Sequence, residues 1–176
     1  MKTLKKILLP MMFIALAATA LILIALASFK GSMGGLNATV KGITFGANKA
    51  ITSYGGMTHE QTFNGYPPAV LPLVGFILIA VGVIAGGAVA FFADKINAAK
   101  IVLIAAAILV VVGGIFQFFA LSSFAKATAK FYGTDYEDVL ESFKNQNGRI
   151  PLCTVGGILG IVAGCTLTLR AFLQGK

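Results

Sequence analysis

Four long apolar stretches, at residues 7–29, 69–93, 101–125 and 150–169, hold no acidic or basic residue, and they limit the fold more than anything else. Each is at least as long as the ~20 residues a helix needs to cross a ~30 Å hydrocarbon core at ~1.5 Å per residue. No water is present there to satisfy peptide groups, so segments this long have to close their hydrogen bonds internally as helices. The sequence therefore predicts an all-α integral membrane protein built as a four-helix transmembrane bundle. Composition agrees: 57% of the 176 residues are hydrophobic and only 11% are charged, against roughly 25% charged in soluble domains.

The formal charge of +8 does not point to nucleic acid. Lysines and arginines sit at span ends and in loops, with no basic helix face and no interleaved aromatic platform. Their placement reads as topology. With the N-terminus inside, Lys2, Lys5, Lys6, Lys95, Lys100, Arg170 and Lys176 fall on the inner side, with Asp94 as the one acid. Lys30, Lys41, Lys49, Lys126, Lys130, Lys144 and Arg149 fall outside, opposed by Glu60, Asp135, Glu137, Asp138 and Glu141. Basic residues tie, but the inner set is crowded into short segments, which obey the positive-inside rule best. Both termini are expected in the cytoplasm, with the protein in the plasma membrane.

The basic start and Ala25-Leu26-Ala27 resemble a signal peptide with a small-residue cleavage site. The apolar run is longer than the roughly 7–15 residues of such a segment, so an uncleaved anchor is expected. Cys153 and Cys165 both fall in the fourth span. Twelve helical residues separate them by ~18 Å, beyond disulfide reach.

One short inner turn, residues 94–100, makes spans two and three antiparallel neighbours. Two outer loops hold most of the remaining mass. In the first, Leu36, Ala38 and Val40 alternate with Asn37, Thr39 and Lys41, the period of a half-buried strand. Ile43 and Phe45 resume the alternation after Gly42, as a bulge would. Strands at 50–54 and 57–63 flank a Gly55-Gly56 turn, so a two- or three-stranded extracellular β-meander is expected at about 36–63. Gly31 to Gly35 reads as a flexible exit from the first span. Pro67-Pro68 and Pro72 open the second span, where a missing amide hydrogen costs nothing.

The second outer loop predicts a short amphipathic helix at about 135–146. Thr134 and Glu137 have capping-box spacing, and Tyr136, Val139, Leu140 and Phe143 form one apolar stripe. Asn147-Gly148 supplies the stop, and Pro151 starts the last span. The stripe packs either on the meander or along the bilayer. Leu36, Val40, Phe45, Tyr136, Leu140 and Phe143 are the expected contact residues of this extracellular cap.

Within the spans, Gly156, Gly160 and Gly164 recur every fourth residue, and Gly82, Gly86, Gly113 and Gly114 thin the second and third. Such spacing lets helix backbones approach closely, within one bundle or between chains. Gln117 is the one strongly polar side chain well inside a span. It needs a partner in hydrocarbon, and Thr154 and Thr166 are the candidates. The absence of Asp, Glu, Lys, Arg and His from the spans argues against an ion-coupled transporter, though not against a passive pore.

His59, the sole histidine, has no companion at metal-ligand spacing. Asn37-Ala38-Thr39 fits a glycosylation sequon. No phosphate loop, catalytic triad or paired intramembrane acids occur, so no enzyme, cofactor or metal is expected. The layout (a strand-bearing first outer loop, a tight inner turn, a helical second outer loop) resembles the claudin-like four-span proteins. The tryptophan and paired cysteines that mark that family's first outer loop have no counterpart in residues 30–68. The resemblance therefore concerns architecture and transfers no functional residue. Two functions are expected from these features. The first is a non-enzymatic accessory or assembly subunit whose partners are membrane lipids and another membrane protein or itself. The second is a small oligomeric channel or transporter component.

Overall fold

A computed structural model describes residues 2–95 and 98–173. Helix α1 spans Lys2–Ala25, and a four-stranded antiparallel sheet follows: β1 Ser28–Met33, β2 Leu36–Lys41, β3 Lys49–Tyr54 and β4 Met57–Thr62. Then come α2 (Val70–Phe92), α3 (Ala99–Phe116), a 3-10 turn at Gln117–Phe119, α4 (Ala120–Tyr132), α5 (Tyr136–Asn145) and α6 (Pro151–Phe172). Four helical stretches are long and apolar enough to cross a membrane: Ile7–Ala25, Val70–Phe92, Ala99–Tyr132 and Pro151–Phe172. The chain is thus mostly helical, a multi-pass membrane protein with a small sheet. Ile22, Ile77, Ile84, Ile101, Ile108 and Ile158 are each about half or more exposed on the bundle surface. Water would penalise so many bare isoleucines; lipid does not.

Helix α3 lies between α2 and α6, and α6 also packs along α1. Glycine makes these contacts close. A Cβ at Gly113 would stand 2.6 Å from the Gly75 carbonyl oxygen, and one at Gly157 would stand 2.7 Å from that of Gly114. Phe13, Ile24, Ile79, Leu103, Val110 and Leu167 fill the centre.

Several sequence expectations need correction. The first span ends at Ala25, not 29, and residues 28–33 form β1. What reads as a flexible glycine exit is a strand plus a two-residue turn, Gly34 and Gly35 both having positive φ. Gly55-Gly56 repeats that geometry, which suits the right-handed twist of a hairpin. The sheet therefore has four strands over 28–62, with an element upstream of the expected 36–63. Ile43 and Phe45 do not resume a strand; they lie in the turn between β2 and β3. The third span does not stop at 125, because helix continues to Tyr132 and ends on left-handed Gly133. Helix α5 starts from Asp135, whose carboxylate accepts the Glu137 amide at 2.9 Å, so Thr134 is not the cap. Of the inner turn at 94–100, Ile96 and Asn97 lie outside the described residues, as does Lys176. Arg170 does not hang free below the fourth span. It is buried in the last turns of α6 and donates from Nε to the Ala90 carbonyl at 3.1 Å.

Candidate functional site

The sheet and α5 form a cap on one end of the bundle. The turn between β2 and β3 joins cap to bundle: Ala69 N–H donates to the Ile43 carbonyl, and the buried Thr44 hydroxyl donates to the Ile24 carbonyl at the end of α1. Since that turn sits on the bundle, the two diglycine turns lie at the opposite, distal end of the strands.

Beneath the sheet an aromatic cluster fixes its tilt. Phe29 of β1 lies 4.5 Å from Phe143 of α5 and 5.5 Å from Phe124 of α4, measured between ring centres. Tyr66 stacks on Phe131 at 4.5 Å. Its hydroxyl donates to Thr128 Oγ1 at 2.5 Å, and Thr128 donates in turn to the Phe124 carbonyl. Burial pushes the Tyr66 phenol up to about 12. The stripe of α5 thus meets α4 and β1, through Phe143, rather than the meander's open face.

Pairing register sorts the strand residues into two faces. Met33 pairs with Leu36, Tyr54 pairs with Met57, and continuing the β2–β3 register sets Leu36 beside Tyr54. These four side chains form one row across the distal rim. They are 58%, 41%, 63% and 81% exposed, respectively. Phe29, Val40 and Ala50 share that face, which carries no charged residue. The opposite face carries Lys30, Lys41, Lys49 and Glu60. Lys49 pairs with Glu60 and holds its carboxyl below the usual range, chiefly through their hydrogen bond.

The sheet's two edges differ. On the β1 side, Lys30 and Arg149 exchange backbone hydrogen bonds at 2.8 Å, and the Ser32 amide donates to the Gln146 carbonyl. That edge is closed. On the other side β4 pairs only inward, with β3, among the described residues. A two-residue turn makes Tyr54–Met57 the hydrogen-bonded pair, so alternation turns the peptide groups of Thr58, Glu60 and Thr62 outward. All of β4 is exposed.

The remaining sequence candidates scatter. Leu36 is on the distal rim, Val40 packs into the aromatic cluster, and Tyr136 and Leu140 are half-buried on α5. Phe45 leaves the cap altogether, its ring edge-on to Phe76 of α2 at 5.1 Å. The glycines face inward. Positions 82, 86 and 113 meet Val110, Leu167 and Ile79, while 114, 156, 160 and 164 meet Gly157, Ile24, Ile79 and Val111. Gly75 and Gly157 serve the same contacts, but they stand outside the fourth-residue pattern and the sequence reading missed them. Gln117 does not reach Thr154 or Thr166. Its Nε2 donates to the Pro72 and Gly113 carbonyls at 3.1 and 3.4 Å, while both threonines donate within α6. His59 is exposed on β4, Asn37 is exposed on β2, and among the described residues no three metal-binding side chains cluster.

Compared with known proteins, this chain matches no family model and no curated protein.

Proposed function

We propose that the protein is a non-enzymatic accessory subunit of the plasma membrane, with cytoplasmic termini and an extracellular cap that docks an extended segment of another membrane protein. The open edge of β4 carries this reading. Unpaired outward peptide groups recruit a strand, and strand addition draws its affinity from main-chain hydrogen bonds. The rim of Met33, Leu36, Tyr54 and Met57 adds an exposed apolar contact beside that edge, and methionine and tyrosine are types enriched at interfaces. A second copy in the same bilayer fits less well. Antiparallel β4–β4 pairing would turn one cap upside down, because the strands run outward from the bundle.

The channel reading draws less support. Gly156, Gly160 and Gly164 of the fourth span, around which such an oligomer would be built, meet Ile24, Ile79 and Val111 of their own chain.

A test uses the full chain solubilised from its native membrane. Thr58→Pro removes one outward amide without touching the inward ladder. Capture of a defined partner should fall about fivefold or more, the worth of one hydrogen bond near 1 kcal/mol, while Thr58→Ala captures normally. A wild-type chain that is strictly monomeric and recovers no partner, or equal capture by the proline variant, would refute the proposal.

A further inference from the structure

The helical stretch Ala99–Tyr132 is 34 residues long, ~50 Å at ~1.5 Å per residue, and a bilayer core takes up only ~30 Å of it. Counted from Ala99, the hydrocarbon is crossed by about residue 119, so α4 rises through the headgroup layer on the cap side. There α4 and the start of α2 border a groove of about 490 Å³, within the ~300–1,000 Å³ of small-molecule sites. Pro68, Val70 and Leu71 stand on one wall, and Ser123, Lys126 and Lys130 on the other.

The groove is rich in donors. The Leu71 amide donates to Ser123 Oγ at 3.0 Å and joins the two walls. Ser123 is 5% exposed, and its own hydroxyl hydrogen meets no acceptor among the described residues. Val70 opens α2 with an amide that likewise meets none. Lys126 and Lys130 follow one turn apart, ~6 Å along the axis. The Lys126 ammonium lies 5.4 Å from the centre of the Tyr136 ring, a contact that spends none of its hydrogen-bond donors. Neither lysine makes an ion pair among the described residues, and no acid lines the groove. Such a set calls for an anion with several oxygens.

The groove also opens sideways. Val70 is 61% exposed, and the exposed Val74, Ile77, Val81 and Ile84 continue one helical stripe from it along α2. A free anion would leave that track unused; an acyl chain attached to the anion would lie along it. We infer that the groove holds the phosphate of an anionic phospholipid from the cap-side leaflet. The phosphate oxygens accept from Lys126, Lys130 and the Ser123 hydroxyl, and a chain follows the α2 stripe. A choline headgroup brings its own cation against the two lysines, so phosphatidylglycerol is preferred to phosphatidylcholine.

The experiment is native mass spectrometry of the full chain in detergent, offered these two lipids with identical acyl chains. Wild type should retain phosphatidylglycerol about tenfold more, the worth of one hydrogen bond to a charged group. Lys126→Gln with Lys130→Gln should remove the preference. Lys41→Gln with Lys144→Gln, at exposed positions of the cap outside the groove, removes the same charge and should leave the preference intact. Val70→Trp fills the groove at unchanged charge and should abolish it. Excess glycerol 3-phosphate, which has the phosphate and no chain, should not displace the lipid. Equal retention of both lipids by wild type would overturn the inference. So would a preference that survives the Lys126 and Lys130 changes or Val70→Trp, one lost with Lys41 and Lys144, or displacement by glycerol 3-phosphate.

Discussion

Tyr66 shows how one side chain ties the cap to the bundle. Its ring stacks on Phe131, and its hydroxyl begins a relay through Thr128 to the Phe124 carbonyl. Burial raises its pKa to about 12, above the ordinary value near 10. A raised pKa means the folded state holds its proton more tightly than the unfolded one. The associated stability is therefore complete below pH ~10 and lost as pH rises toward 12. Thermal unfolding in detergent should decline across that window, and Tyr66→Phe should flatten the decline. A variant with the wild-type pH profile would show that another group titrates. The glycines make a different point at this scale. Their spacing announces close packing, but only the structure shows each one meeting its own chain.

Among the elements, α5 is short, exposed on most faces and held by few contacts. Its start depends on one side-chain bond, from the Glu137 amide to Asp135 Oδ1. Asp135→Ala should cost about 1 kcal/mol, seen as faster amide exchange over Tyr136–Asn145 with the four long helices unaffected. Thr134→Ala should do nothing, although capping-box spacing makes Thr134 the sequence favourite. Adjacent Thr and Asp both suit an N-cap, and spacing cannot choose between them. β1 was hidden for a related reason. Ser28 to Met33 follows an unbroken apolar run, and hydropathy does not register that the backbone turns extended. Its strand character comes from pairing with β2 and from the bridge to Arg149, contacts 119 residues apart in the case of Lys30 and Arg149.

For the whole molecule, orientation decides what the cap meets. The short inner segments hold seven basic residues and one acid, so the cap should lie outside. A single cysteine placed at Gly55, in a background with Cys153 and Cys165 replaced by Ala, should react with a membrane-impermeant maleimide on intact cells. Labelling only after lysis would invert the topology and remove the extracellular docking proposal. Asymmetry of the sheet edges is likewise a property of the assembled molecule, since β1 is closed by a segment that enters from the far end of α5.

Hydrophobic length alone determined that this chain has four membrane-crossing helices, because peptide groups in hydrocarbon leave no alternative to internal hydrogen bonding. Local spacing likewise determined β2 to β4, the diglycine turn at 55–56 and the existence of α5. Tertiary structure decided the rest. It placed β1 in the sheet, carried α4 to Tyr132, buried Arg170, moved Phe45 onto α2, and gave Gln117 its donors' partners while leaving its oxygen free. Each of those outcomes depends on which distant segment arrives alongside, and pairwise proximity is not written in the spacing of either segment.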